Sequence, residues 1–117
     1  MTRPEAASVA KHLYAEFAAK PGSETRVANL VAAYAGQVRA EAGCLAFDPF
    51  VRSDDERRWV VFEAYVDEAA FRAHMATEHN RGFNDEIAPH IEGGASSLVQ
   101  LIAPLARQPN RGRGNRI

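Results

Sequence analysis

The chain has 117 residues, 46% of them hydrophobic and 25% charged, with a formal net charge of -1. That length suits one domain with one two-layer core, and the near balance of charge excludes an overall electrostatic pull toward nucleic acid or membranes. The single cysteine, Cys44, excludes an internal disulfide or a thiolate cluster, and no apolar run approaches the roughly 20 residues of a membrane span.

The N-terminal run Met1-Thr2-Arg3-Pro4-Glu5 has no apolar core behind its charge. A signal peptide is therefore not expected, and the chain reads as cytoplasmic. Residues 1–8 are read as an extension, 9–104 as the domain, and 105–117 as a flexible tail. Four arginines and little apolar content make that tail disordered when alone.

Val9 to Ala19 alternates loosely and reads as a first strand, stopped by Lys20-Pro21-Gly22. Ser23 suits a helix N-cap. Val27, Leu30, Val31, Tyr34 and Val38 then form one apolar stripe at helical spacing. Gly43 stands where a helix C-terminal glycine belongs. Gly36 within the stripe costs about 1 kcal/mol and suggests close packing.

Leu45–Arg52 and Arg57–Tyr65 read as a hairpin around the polar turn Ser53-Asp54-Asp55-Glu56. Asp67 caps a helix with Phe71, His74 and Met75 on one face. Thr77 caps a second helix carrying Phe83 and Ile87, ended by Pro89 and Gly93-Gly94. Ser96–Ala103 is the last strand. The order β-α-β-β-α-β predicts an α+β, ferredoxin-like fold, an antiparallel four-stranded sheet with helices on one face. The third strand is apolar on both faces: Val60 and Phe62 on one, Trp59, Val61 and Tyr65 on the other. A half-solvated strand would alternate with polar residues. The second face is therefore expected to meet another subunit, making a homodimer.

His74 and His79 both fall on the inward side of the helical segment. Each reads either as a packed histidine or as a proton-transfer group. Their separation of five residues does not match the i, i+4 spacing of a helical zinc pair, so no metal is expected. Glu63 sits mid-strand among apolar neighbours. It reads either as half of an ion pair with a neighbouring strand or as a carboxylate that orients a histidine or substrate. Asp48 is a pocket candidate or a surface residue. His12 and His90 are expected to be exposed, and Cys44 to be packing. No dinucleotide fingerprint, phosphate loop, CxxC, HExxH or nucleophile elbow is present.

The runs Ala15-Glu16-Phe17, Lys20-Pro21-Gly22, Glu41-Ala42-Gly43-Cys44-Leu45, Phe62-Glu63-Ala64-Tyr65, Asp67-Glu68-Ala69-Ala70 and His74 with His79 together resemble the antibiotic biosynthesis monooxygenase family over residues 9 to 104. The resemblance implies a dimeric α/β barrel, with two sheets packed face to face, and oxygenases that attack quinols or phenols without metal or flavin. No cofactor is therefore expected. It also implies a pocket between sheet and helices, with His74 or His79 as base, Glu63 orienting it, and Phe17, Asp48, Tyr65 and Phe83 on the substrate. Haem-degrading relatives use a strand-one Asn, a strand-three Trp and a helical His. The first strand here has no Asn, and Tyr65 and Asn84 stand at the other two positions, which argues against haem. The runs Phe47-Asp48 and Glu63 to Glu68 are also similar to a branch that isomerises a phosphorylated keto compound. A non-catalytic ligand-binding dimer is the third reading.

Overall fold

A computed structural model describes residues 9–105; the extension at 1–8 and nearly all of the expected tail lie outside the described residues. The order is β1 (Lys11–Ala18), α1 (Glu24–Arg39), β2 (Cys44–Arg52), β3 (Asp55–Tyr65), α2 (Glu68–Met75), α3 (Glu78–Ile87) and β4 (Ser97–Leu101), with two short 3₁₀ turns before β4. The sheet order is β2-β3-β1-β4, and every neighbouring pair is antiparallel. This is the expected ferredoxin-like α+β arrangement, with the helices on one face.

Local chemistry sets most boundaries. Gly22 takes φ 91 in the turn that ends β1, a backbone region where a Cβ is strained. Asp67 accepts from the Ala70 N–H, and Thr77 accepts from the Asn80 N–H, so both expected caps are made. Ser23 occupies the N-cap position of α1 but makes no cap hydrogen bond; its hydroxyl lies 3.2 Å from His90 Nδ1. His90 and His12 are accordingly half-buried rather than exposed, and the His12 ring stacks on Phe62.

Three readings are corrected. Helix α1 ends at an ordinary right-handed Ala40, so Gly43 is not its terminator. A Cβ on Gly43 would stand 2.5 Å from Ala70 Cβ, and glycine is needed there because the start of β2 presses on α2. Gly36 faces open space, so close packing does not account for it. The hairpin turn is only Ser53-Asp54, because Asp55 pairs with Arg52 in the ladder. The charges of residues 55 and 56 suggested turn, but at the hairpin end Glu56 is exposed and Asp55 accepts from the Arg57 N–H.

The core lies between sheet and helices. Leu13, Phe17, Phe47, Val61 and Tyr65 from the sheet meet Val27, Val31, Tyr34, Val38, Phe71 and Ile87. The register opposes Leu13 to Glu63 and Phe47 to Glu63, which turns the odd-numbered residues of β3 inward. The even-numbered residues share the outer face with Tyr14, Asp48, Phe50, Val99 and Leu101. Among the described residues, no helix is long and apolar enough to cross a membrane.

Candidate functional site

A cavity of about 170 Å³ opens between the inner face of the sheet and the helices. Its apolar walls include Leu13, Phe17, Val61, Phe71 and Phe83. Phe83 stacks flat on Tyr34, with centroids 4.0 Å apart. The polar wall is Glu63 from β3, His74 from α2, Tyr34 from α1 and Asn80 from α3.

His74 is fixed from both ring edges. Nδ1 lies 3.0 Å from Glu41 Oε2 and 3.2 Å from Glu41 Oε1. A carboxylate only accepts, so the neutral ring carries its proton on Nδ1, and Nε2 keeps a lone pair. Nε2 faces the Tyr34 hydroxyl at 3.4 Å. That hydroxyl in turn accepts from Asn80 Nδ2 at 2.8 Å. Burial pushes the Tyr34 phenol well above its ordinary pKa, against the hydrogen bond from Asn80, so it remains a donor. The ring also lies 5.0 Å from that of Tyr65. With 3% of its side chain exposed, His74 is held in one orientation, and its contact with Glu41 sets the tautomer of the ring.

The expected orienting carboxylate, Glu63, is not the one in contact. Its Oε1 stands 3.9 Å from His74 Nε2 and accepts instead from the Tyr65 hydroxyl at 2.7 Å. Its partner is therefore a neighbour on its own strand, not a lysine or arginine across the sheet. Burial raises the Glu63 pKa, against the hydrogen bond from Tyr65 and the charge of His74, which both lower it. Burial, then the Glu63 charge, push Tyr65 up. The pair is a buried carboxyl–phenol contact at the cavity wall.

Glu41 is the residue that sequence reasoning missed. It follows α1 by two residues and gave no periodic signal. The available clue was chemical: two inward histidines need a partner for their ring N–H groups. Glu41 serves both, since His79 Nε2 lies 2.6 Å from the same Oε2. The i, i+4 spacing applies within one helix, and these two histidines lie on either side of the break expected at Thr77. The chain breaks between α2 and α3, where the Thr77 hydroxyl donates to the His74 carbonyl, and the break turns both rings toward Glu41. Tyr34 and Asn80 were also missed; Tyr34 was legible only as part of an apolar stripe.

The remaining candidates divide. Phe17 and Phe83 line the cavity, and Tyr65 supports it from behind through Glu63 and His74. His79 borders Glu41 rather than the cavity. Asp48 lies on the opposite face of the sheet, opposite Phe62, with Arg39 Nη2 at 3.7 Å. It is not a pocket residue in this chain. Asn84 lines the cavity and donates to the Asn80 carbonyl. Cys44 is half-buried, and burial raises its thiol pKa, in keeping with a packing role.

An antiparallel ferredoxin-like sheet whose helices enclose a small cavity defines the class of protein. A family model described as antibiotic biosynthesis monooxygenase matches residues 12–86, and the chain belongs to that family. It is 30% identical to a solved antibiotic biosynthesis monooxygenase, with a TM-score of 0.74 over 80% of this chain and 97% of the other. It is 29% identical to PA3566 from Pseudomonas aeruginosa, at TM-score 0.76 over 85% and 97% of the two chains. Rv0793 from Mycobacterium tuberculosis, 23% identical, matches in fold at TM-score 0.77 over 86% and 100%.

Proposed function

We propose that the protein is a homodimeric oxygenase that deprotonates a small phenol or quinol and lets the anion react directly with O2. One observation carries this reading. His74 is buried at the cavity's polar wall, its Nδ1–H is held by Glu41, and its Nε2 lone pair meets the hydroxyl of Tyr34, which also lines the cavity, at 3.4 Å. That is the arrangement a general base requires. A phenolic proton reaches Nε2 through the Tyr34 hydroxyl, which gives its own proton to the ring and takes the substrate's. The electron-rich anion passes an electron to O2, and the two radicals combine at a ring carbon. Loss of water leaves one oxygen atom on the product, so the substrate loses two hydrogens and the second oxygen departs in water. Family membership supports oxygenase chemistry. The apolar walls supply a dry site for an aromatic ring. Isomerisation of a phosphorylated keto compound is less well supported, because the described lining has no lysine or arginine to meet a phosphate.

The homodimer forms through the outer face of the sheet. Phe50 is 60% exposed, and Val99 and Leu101 more than a third exposed, beside half-buried Val60 and Phe62. Such a patch on a lone chain invites a partner.

An oxygen electrode with a panel of hydroquinones and phenols, run beside a phospho-ketone isomerisation assay, tests the chemistry. Oxygen uptake that disappears in His74→Ala supports the oxygenase; isomerisation without uptake supports the rival; neither leaves a ligand-binding dimer.

A further inference from the structure

Three elements bring one carboxylate and two imidazoles to a point. Glu41 comes from the segment after α1, His74 from α2 and His79 from α3. Oε2 of Glu41 is 3.0 Å from His74 Nδ1 and 2.6 Å from His79 Nε2, and the three donor atoms all lie within 4.8 Å of one another. Around an ion with bonds of about 2.0–2.1 Å, tetrahedral donors stand about 3.3 Å apart. The cluster reaches that spacing by small side-chain movements. We infer that Glu41, His74 and His79 form a binding site for a divalent first-row transition-metal ion of the zinc type.

The donor set decides the class of ion. Two imidazoles and one carboxylate suit zinc, cobalt or iron(II), whereas magnesium and calcium prefer all-oxygen sets. Three protein ligands leave a position for water. His79 is 23% and Glu41 14% exposed, which gives the ion a path from solvent, while His74 anchors the inner side.

A second feature points the same way. A ligating histidine usually donates its other ring N–H to a carboxylate or similar group, which fixes the ring. When Nδ1 of His74 holds an ion, its proton moves to Nε2, which faces the Tyr34 hydroxyl at 3.4 Å and Glu63 Oε1 at 3.9 Å. The Tyr34 hydroxyl is in place to accept from that N–H, with Glu63 just beyond hydrogen-bond distance. A ring protonated on Nε2 cannot accept a substrate proton, so ion binding and base catalysis by His74 exclude each other. The site itself does not depend on the oxygenase reading, because occupancy is measured without turnover.

The test is titration of chelator-stripped full-length protein with Co²⁺ and Zn²⁺, followed by visible absorption and calorimetry. One ion per chain is expected, with d–d bands of low-symmetry cobalt that Zn²⁺ displaces. Glu41→Gln and His79→Ala should abolish binding with the circular dichroism spectrum retained. Tyr34→Phe should weaken it roughly 10-fold, and His12→Ala and His90→Ala should leave it intact. Wild-type crystals soaked in Zn²⁺ should show an anomalous peak among the three side chains, which covers the case of a variant that fails to fold. No stoichiometric uptake, undiminished uptake by a folded Glu41→Gln, or a peak elsewhere would mean that Glu41 joins the histidines by hydrogen bonds alone.

Discussion

The two faces of β3 carry residues of similar hydrophobicity and do opposite things. The inner residues Trp59, Val61, Glu63 and Tyr65 face helices, and where the packing is incomplete a cavity with a polar wall remains. The outer residues Val60, Phe62 and Ala64 face a flat apolar surface that continues through Phe50, Val99 and Leu101. Inside, the polar side chains pair with one another: Tyr65 on Glu63, Glu41 on His74 and His79, Asn80 on Tyr34. An incompletely filled pocket with oriented polar groups calls for a small ligand. A broad, largely apolar face, with Tyr14, Glu16 and Asp48 beside its apolar side chains and no cavity among the described residues, calls for another surface. Apolar composition alone cannot tell these apart; the arrangement of the few polar atoms can.

The largest expected effect is on the inner face. His74→Ala should lower turnover of a confirmed substrate by about 10²–10⁴ if Nε2 is the general base, with the dimer intact by light scattering. Full activity in that variant would reduce the polar wall to packing. On the outer face, Val60→Asp should convert the proposed dimer to a species near the 12.8 kDa chain mass, or unfold it. An unchanged mass and melting temperature would show that the outer face is not the covered one.

A smaller effect is expected where β2 meets α2. Gly43→Ala sets a methyl carbon 2.5 Å from Ala70 Cβ, so the helix must shift, at a cost of about 1–3 kcal/mol. A melting temperature equal to wild type would mean that α2 moves freely, and that His74 is held less firmly than its contacts imply.

The smallest effect concerns Glu63. Burial raises its folded pKa above that of the unfolded chain, so the folded state keeps a proton that the unfolded chain has released. The contribution of Glu63 to stability is therefore greatest below the ordinary carboxyl range, about pH 4, and is lost as pH rises through the raised value. Glu63→Gln removes that fall. Melting curves across pH should show the variant gaining on wild type as pH rises; a constant difference would mean that Glu63 is no less acidic folded than unfolded.

Much of the fold was legible because its signals are local. The stripe from Val27 to Val38, the caps Asp67 and Thr77, and the alternation along β3 depend on neighbours within a turn or a pleat. The same alternation assigned Glu63 to the inner face, and the sequence alone singled out His74, Phe17 and Phe83. Glu41 was not legible as a site residue, because it lies 33 residues from His74 and 38 from His79, and the run Glu41 to Leu45 marked the family and not its contacts. Asp48 failed for the complementary reason: one position of strand register separates it from the inward Phe47 and puts it across the sheet. Periodicity reports which face a residue takes within its own element. Which side chains from the end of α1, the middle of α2 and the start of α3 converge depends on the helix break at residues 76 and 77 and on how the helices settle on the sheet, and those are set by packing over the whole domain.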